Sequence, residues 1–456
     1  MLQTFAFIAQ LVLVLVCLLI GTRKGGIGLG LISGIGLVIL VFGFHLKPGE
    51  PPVQVMLTIL AVIGCASTLQ QAGGLDVMMS YAERLLRSKP HRVTLLAPLC
   101  TWFLTVLCGT GHVVYTMFPI IADIALQKNI RPERPMAVSS VAAQMGIVAS
   151  PVSVATVTLA ALLSSHAAET GDPAFSIVQI LMISIPASLC GVIVAALWSL
   201  KRGKDLDKDP EFQKKIADPE QKAYIYGGGS TLLNQEFPKT AYYSVYLFFA
   251  GVATVVILGA FPGLRPSFLS DKGELARLSM NLVIQMVMLV VGALIMFISR
   301  VDMAKVPSTA VFKAGTTAVF SVFGVAWMTE TFFGDHLDQL THGLTSVVQT
   351  APWAFAIALF LVSKLVNSQA AALTALAPVG LAIGLSPVAL IGFFGASYGY
   401  FVLPTYPSDL ACINFDRSGT TRIGKYVINH SFIIPGLIGV FISCVVGTFL
   451  AHLILA

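Results

Sequence analysis

The chain has 456 residues, with 28 Lys or Arg, 22 Asp or Glu and a net charge of +6. Only 11% of it is charged and 56% is apolar, against roughly one-quarter charged in an average soluble domain. This balance excludes an ordinary soluble enzyme, a disordered chain and a nucleic-acid binder. The apolar runs at 5–21, 26–44, 53–70, 243–261 and 426–451 each reach or approach the ~20 residues that cross a bilayer, so the expected class is an all-α polytopic membrane protein.

The first positive charges, Arg23 and Lys24, follow the first apolar run, which reads as a transmembrane helix rather than a cleaved signal peptide. With Arg23 and Lys24 cytoplasmic, the excess of Lys and Arg in cytoplasmic loops orients the rest. Crossings are expected at about 5–21, 26–45 and 53–80, the last returning to Arg84, Arg87, Lys89 and Arg92. The stretch 93–127 is basic at both ends, so it enters and leaves on one side. Crossings at 136–163 and 176–199 follow, joined by a loop with Glu169 and Asp172. Residues 201–239 hold eight Lys or Arg, seven Asp or Glu and the Gly227-Gly228-Gly229 run. That mixture reads as a cytoplasmic linker with no core of its own. Further crossings are expected at 241–261, 278–299, 307–333, 387–415 and 426–452, with 351–386 as a second hairpin. Of the Lys and Arg, only Lys47, Arg265, Lys272 and Arg277 then fall outside, and Lys364 falls within the membrane. Both termini are periplasmic in this topology. Glu83 and Arg87, four apart at a helix end, read as a surface pair, and the seven cysteines as small buried hydrophobes.

Landmarks recur in order about 250–260 residues apart: Gly64-Cys65-Ala66 with Gly324-Val325-Ala326, Pro119 with Pro378, Pro151 with Pro404 or Pro407, and Pro186 with Pro435. An odd number of crossings per half turns the second copy upside down. The expected architecture is two inverted repeats, 1–200 and 240–456, each of five transmembrane helices plus one re-entrant hairpin (93–127 and 351–386). Such repeats mark secondary transporters with a site near the bilayer midplane.

Four segments read as broken. Cys108-Gly109-Thr110-Gly111-His112 and Asn367-Ser368-Gln369 interrupt the hairpins, and Ser150-Pro151-Val152-Ser153 and Pro404-Thr405-Tyr406-Pro407-Ser408-Asp409 interrupt the crossings that follow. Proline inside a helix removes one hydrogen bond and clashes with the preceding turn. Unwound backbone at membrane depth survives only against protein or a water-filled cavity, and each half-helix N-terminus carries about +0.5 charge. Two such sets, one from each half, suit an anion with two carboxylates. The candidate substrate-binding residues are Thr110, His112, Ser150, Ser153, Asn367, Ser368, Gln369, Thr405 and Ser408, with Lys364 as the positive charge and Asp409 as its partner or as a proton carrier. Intramembrane charges are costly and default to functional roles. Neither a metal nor a cofactor is called for: His112 and His430 lack HExxH-type spacing, and no catalytic constellation appears.

The segments GTGHVVYT (109–116), RPERPMA (131–137), QMGIVASPVSVA (144–155), VNSQAAAL (366–373), LPTYPSDLA (403–411) and FDRSGTTRIGKYVINHSFIIPG (415–436) resemble the anaerobic C4-dicarboxylate transporter (Dcu) family of bacterial inner membranes, across essentially the whole chain. The resemblance implies exchange of fumarate, malate or aspartate for succinate in support of fumarate respiration. The GTGH tip is similar to the branch that exchanges fumarate for succinate. The resemblance also implies importance for Lys364, Thr405 and Asp409. Sodium-coupled relatives in the wider superfamily carry Ser-Asn-Thr tips, where this chain has Gly-Thr-Gly and Asn-Ser-Gln. The rival reading is a proton- or sodium-driven dicarboxylate symporter. The expected partners are small dicarboxylates and the lipid bilayer, with no nucleic acid. A homo-oligomer and a regulatory partner at the basic cytoplasmic rim stay open.

Overall fold

The computed structural model describes residues 2–24, 27–51, 53–171, 175–227, 231–233, 235–269, 275–336, 350–404, 406–424, 426 and 429–455. Asp172, Gly228, Gly229, Lys272, Thr405 and Lys425 lie outside the described residues. Among those described, six helices are long and apolar enough to cross a membrane, and one bent pair is apolar and long enough to make a seventh if its two helices form one span.

In chain order the first half contains α1 (Leu2–Lys24), α2 (Gly28–Val38), α3 (Val53–Gln71), α4 (Gly74–Ser88), α5 (Val93–Cys108), α6 (Val114–Gln127), α7 (Glu133–Met145), α8 (Val154–Thr170) and α9 (Ile177–Ser199). Two short helices follow, α10 (Pro210–Ile216) and α11 (Pro219–Tyr226). The second half contains α12 (Lys239–Ala260), α13 (Met280–Ser299), α14 (Ala310–Asp335), α15 (Trp353–Val366), α16 (Gln369–Ala382), α17 (Pro387–Gly392), α18 (Pro407–Phe415) and α19 (Ile433–Ile454). A small antiparallel ribbon, β1 (Ser267–Leu269) with β2 (Leu275–Arg277), joins α12 to α13, the one departure from an all-α chain among the described residues.

The packing pairs repeat between halves. α2 packs on α14 as α13 packs on α3, and α1 pairs with α2 as α12 pairs with α13. α16 meets α8, and α6 meets α18. α9 and α19, which carry Pro186 and Pro435, pack directly on each other. Their backbones cross closely: a Cβ on Gly191 would lie 2.4 Å from the carbonyl oxygen of Gly439, the small-residue contact that membrane helices use in place of a hydrophobic drive. Each of the two largest buried apolar clusters mixes helices of both halves, so the halves interlock.

The segment expected to cross at 53–80 bends by 68° between α3 and α4, at Gly73 with φ +82°, which turns α4 against α12. Two expectations need correction.

The 201–239 segment is not coreless. Asp209 and Asp218 cap α10 and α11 by accepting backbone N–H bonds. Leu206, Phe212 and Ile225 bury themselves with Leu126. Ion pairs then bind the segment to the helices: Arg131 to Asp209 at 2.6 Å and Arg134 to Asp205 at 2.6 Å. Glu133 gathers Arg131 at 2.8 Å, Arg202 at 3.0 Å and the Ser431 hydroxyl at 2.6 Å. Stripping one partner from such a buried set typically costs ~3–5 kcal/mol.

Glu83 is no surface residue. It is fully buried and accepts from Arg87 Nε at 2.7 Å and from the Leu232 N–H at 2.7 Å. Arg87 also reaches Asp123 on α6 at 3.1 Å, which ties the first hairpin to α4 and to the linker.

Candidate functional site

All four breaks form as hydroxyl- or proline-started helix ends. α5 stops at Gly109, whose φ of +73° suits a helix C-terminus. Thr110 is extended and caps the turn 111–113, accepting from the His112 N–H, with its Oγ1 2.7 Å from His112 Nδ1. α7 stops at Met145, a short turn at 147–149 follows, and Ser150 accepts from the Val152 N–H at 3.3 Å. Ser153 then caps α8 by accepting from the Thr156 N–H at 3.2 Å.

In the second half α15 stops at Asn367, a non-glycine residue at φ +49°. Ser368 caps α16 by accepting from the Ala371 N–H at 3.2 Å. The segment between α17 and α18 runs through turns at 394–397 and 400–402 and becomes extended at Tyr406, before Pro407 opens α18.

These four ends share one cavity of about 150 Å³. It is lined by Gly109–His112, Val152–Ala155, Asn367–Ala370, Tyr400 and Tyr406, with apolar side chains of α3 and α14 as its remaining wall. Of the expected residues, the structure therefore brings Thr110, His112, Ser153, Asn367, Ser368 and Gln369 together. Capped N-terminal turns at Ser153 and Ser368 bring partial positive charge to the cavity lining, and such termini bind anions. Among the described lining residues no acidic side chain occurs.

Ser150, Ser408, Asp409 and Lys364 are not lining residues. They sit one layer behind. Lys364 Nζ donates to Asn367 Oδ1 at 3.1 Å, to the Tyr400 carbonyl at 3.1 Å and to the Leu403 carbonyl at 3.2 Å, so it joins the second hairpin tip to the second broken crossing. Asp409 is buried and accepts from the Ser140 hydroxyl at 2.8 Å. No ion pair between Lys364 and Asp409 occurs among the described residues.

The residues that sequence reasoning missed form the seam between the halves. Tyr400 donates to Gln144 Oε1 at 2.7 Å, and Gln369 Nε2 donates to the Gln144 carbonyl at 2.8 Å. Gln144 Nε2 reaches the Ser408 hydroxyl at 3.4 Å, and Ser140 also donates to Ser408 at 3.2 Å. A buried glutamine and serine on α7, one turn apart, were the signal available. Among the described residues no group of three or more metal-ligating side chains occurs.

Comparison with known proteins gives the family. Residues 6–455 match the family described as anaerobic C4-dicarboxylate membrane transporter. The anaerobic C4-dicarboxylate transporter DcuB of Escherichia coli O6:H1 is 54% identical over 441 residues, covering 97% of each chain. The C4-dicarboxylate transporter DcuA of Wolinella succinogenes is 36% identical over 98% of this chain and 99% of the relative. DcuA of Escherichia coli K12 is 35% identical over 98% and 100%. Among solved structures, the YdaH transporter of Alcanivorax borkumensis superposes with a TM-score of 0.58 at 16% identity, over 91% of this chain and 87% of that one. MtrF of Neisseria gonorrhoeae gives 0.52 at 14% identity, over 97% and 94%. These two share the fold alone. A whole-length family match and relatives above one-third identity along the entire chain lead to one conclusion: this multi-pass membrane protein belongs to the anaerobic C4-dicarboxylate membrane transporter family.

Proposed function

We propose that the chain is an antiporter that takes up fumarate, malate or aspartate in exchange for succinate across the bacterial inner membrane, in support of anaerobic fumarate respiration. It is a carrier, not an enzyme. The observation that carries the reading is the single cavity walled by four helix ends, two from each half, with hydroxyl caps at Thr110, Ser153 and Ser368. Two carboxylates of one small acid find a set of N–H and hydroxyl donors on each side. Lys364 supplies positive charge to the site, and the His112 ring supplies a hydrogen-bonding nitrogen beside Thr110.

In this reading 1–200 and 240–456 are inverted repeats, 93–127 and 351–386 are re-entrant hairpins, 201–239 is cytoplasmic and both termini are periplasmic. The swapped packing pairs and the basic asymmetry support it. Lys222 is exposed on α11, so Lys222→Cys in a cysteine-free background should react with an impermeant thiol reagent only after the membrane is opened. Labelling from the periplasmic side of intact cells would overturn the topology.

Counterflow in proteoliposomes tests the function. Vesicles loaded with unlabelled succinate should accumulate labelled fumarate or succinate, and empty vesicles should not. Moving a lone dianion against 100 mV costs ~4.6 kcal/mol, at ~2.3 per charge, and one-for-one exchange of dianions cancels that cost. The exchange rate should therefore ignore an imposed potential. Uptake into empty vesicles driven by a sodium or proton gradient would replace the antiporter with a symporter.

A further inference from the structure

Two further cavities, each about 380 Å³, lie outside this site. One runs between α4, α5 and α12, and the other continues between α5, α9 and α12 as far as Pro151. Leu107 lines both, so they are two lengths of one groove. On α12 its wall is Tyr242, Val245, Tyr246, Phe249, Val252 and Val256, spaced by threes and fours along one helix face. From Tyr242 to Val256 a helix rises about 21 Å. Half of a bilayer of ~40–45 Å, headgroups included, is about 20–22 Å. The groove is as long as one lipid.

Its two ends differ. At the α4 end Tyr81 and Tyr246 are 53% and 62% exposed, the Arg84 guanidinium sits 5.9 Å over the Tyr81 ring, and exposed Lys239 opens α12 three residues before Tyr242. Tyrosine with Lys or Arg is the composition of a membrane interface. The far end is wholly apolar. The joint volume spread over the groove's length leaves a cross-section of roughly 36 Å², under half that of a helix with its side chains, about 10–12 Å across. A hydrocarbon chain fits there, and a partner helix does not.

We propose that this groove holds one anionic phospholipid, its phosphate between Arg84 and Lys239 and one acyl chain along α12 to Pro151. The lipid then has a route to function. Pro151 closes the groove, and the next residues, Val152 and Ser153, line the substrate cavity. The chain end braces the back of the turn whose front holds the α8 cap.

The test uses the intact transporter in mild detergent, with phosphatidylglycerol or phosphatidylcholine added and read by native mass spectrometry. Two basic side chains at ~1 kcal/mol each predict about a 30-fold preference for phosphatidylglycerol. Arg84→Gln with Lys239→Gln should remove that preference, and Val252→Phe, which narrows the tail channel, should reduce retention of both lipids. Counterflow should be several-fold faster in phosphatidylcholine vesicles containing one-fifth phosphatidylglycerol than in phosphatidylcholine alone. Equal retention of the two lipids, a preference that survives the double charge variant, or unchanged retention in Val252→Phe overturns the site. Exchange indifferent to phosphatidylglycerol overturns the brace.

Discussion

Lys364→Met should reduce succinate exchange by about 100-fold or more, equivalent to ~2.7 kcal/mol, while the protein inserts and purifies normally. Methionine keeps much of the stem volume and removes the ammonium. Among the described residues, three oxygens lose their donor: Asn367 Oδ1 and the carbonyls of Tyr400 and Leu403. Hydrogen bonds to a charged group contribute ~1.5–3 kcal/mol each. Two of the acceptors belong to cavity-lining residues from different segments, Asn367 and Tyr400. Asn367 ends α15 at φ +49°, and Tyr400 lines the cavity, so loss of the ammonium releases both at once and removes a positive charge directly behind the cavity wall. Lys364→Arg should recover less than a tenth of the exchange. A planar fork cannot reach three oxygens arranged around a point charge. Counterflow and apparent succinate affinity measure the outcome, with elution as a monodisperse peak as the folding control. Near wild-type rate and affinity in Lys364→Met would make the lysine a helix-end contact with no part in transport.

Much of this site was legible because breaks in membrane helices have loud chemistry. Gly109 and Gly111, Pro151 with its flanking serines, and the Pro404–Pro407 pair marked where backbone donors come free. The structure gathers residues from all four segments around one cavity. The seam behind it was silent. Ser140 and Gln144 sit on an unbroken helix, and nothing in their spacing announces that Ser408, Tyr400 and Gln369 arrive from some 225–270 residues away. Lys364 was visible as a costly charge, but two of its acceptors are backbone carbonyls of a turn that forms only in the fold. The linker misled for a different reason. Its apolar residues are too sparse to read as a core, and Leu206, Phe212 and Ile225 need Leu126 of α6 to complete one. The Asp209-Pro210 and Asp218-Pro219 pairs were the readable sign, since aspartate caps and proline opens a helix. Glu83 shows the same limit: four-residue spacing to Arg87 gives the pair, and only the hairpin's Asp123 and the linker's Leu232 make it buried.

Two glycine substitutions separate backbone strain from contact at the site. Gly109 and Gly171 both close a helix C-terminus at positive φ, +73° and +80°. Alanine at either pays a left-handed penalty of ~1–2 kcal/mol. The surroundings differ. At Gly171 an added Cβ meets nothing within 4 Å, whereas at Gly109 it lies 2.7 Å from the Val152 carbonyl oxygen and 3.0 Å from its carbon. That neighbour is backbone and has no flexible end to swing away. Val152 sits between Pro151 and Ser153, so the push separates the α8 cap from the tip that carries Thr110 and His112. Gly109→Ala should therefore lose about 100-fold or more in exchange, since a 1 Å misplacement of a positioned group can cost that much. Gly171→Ala should exchange at close to the wild-type rate with a small loss of thermal stability. Counterflow on both variants, normalised to protein in the membrane, decides it. Equal and mild effects would mean that the hairpin tip and the α8 turn move independently, and the two walls would then have to be assigned to separate steps of transport.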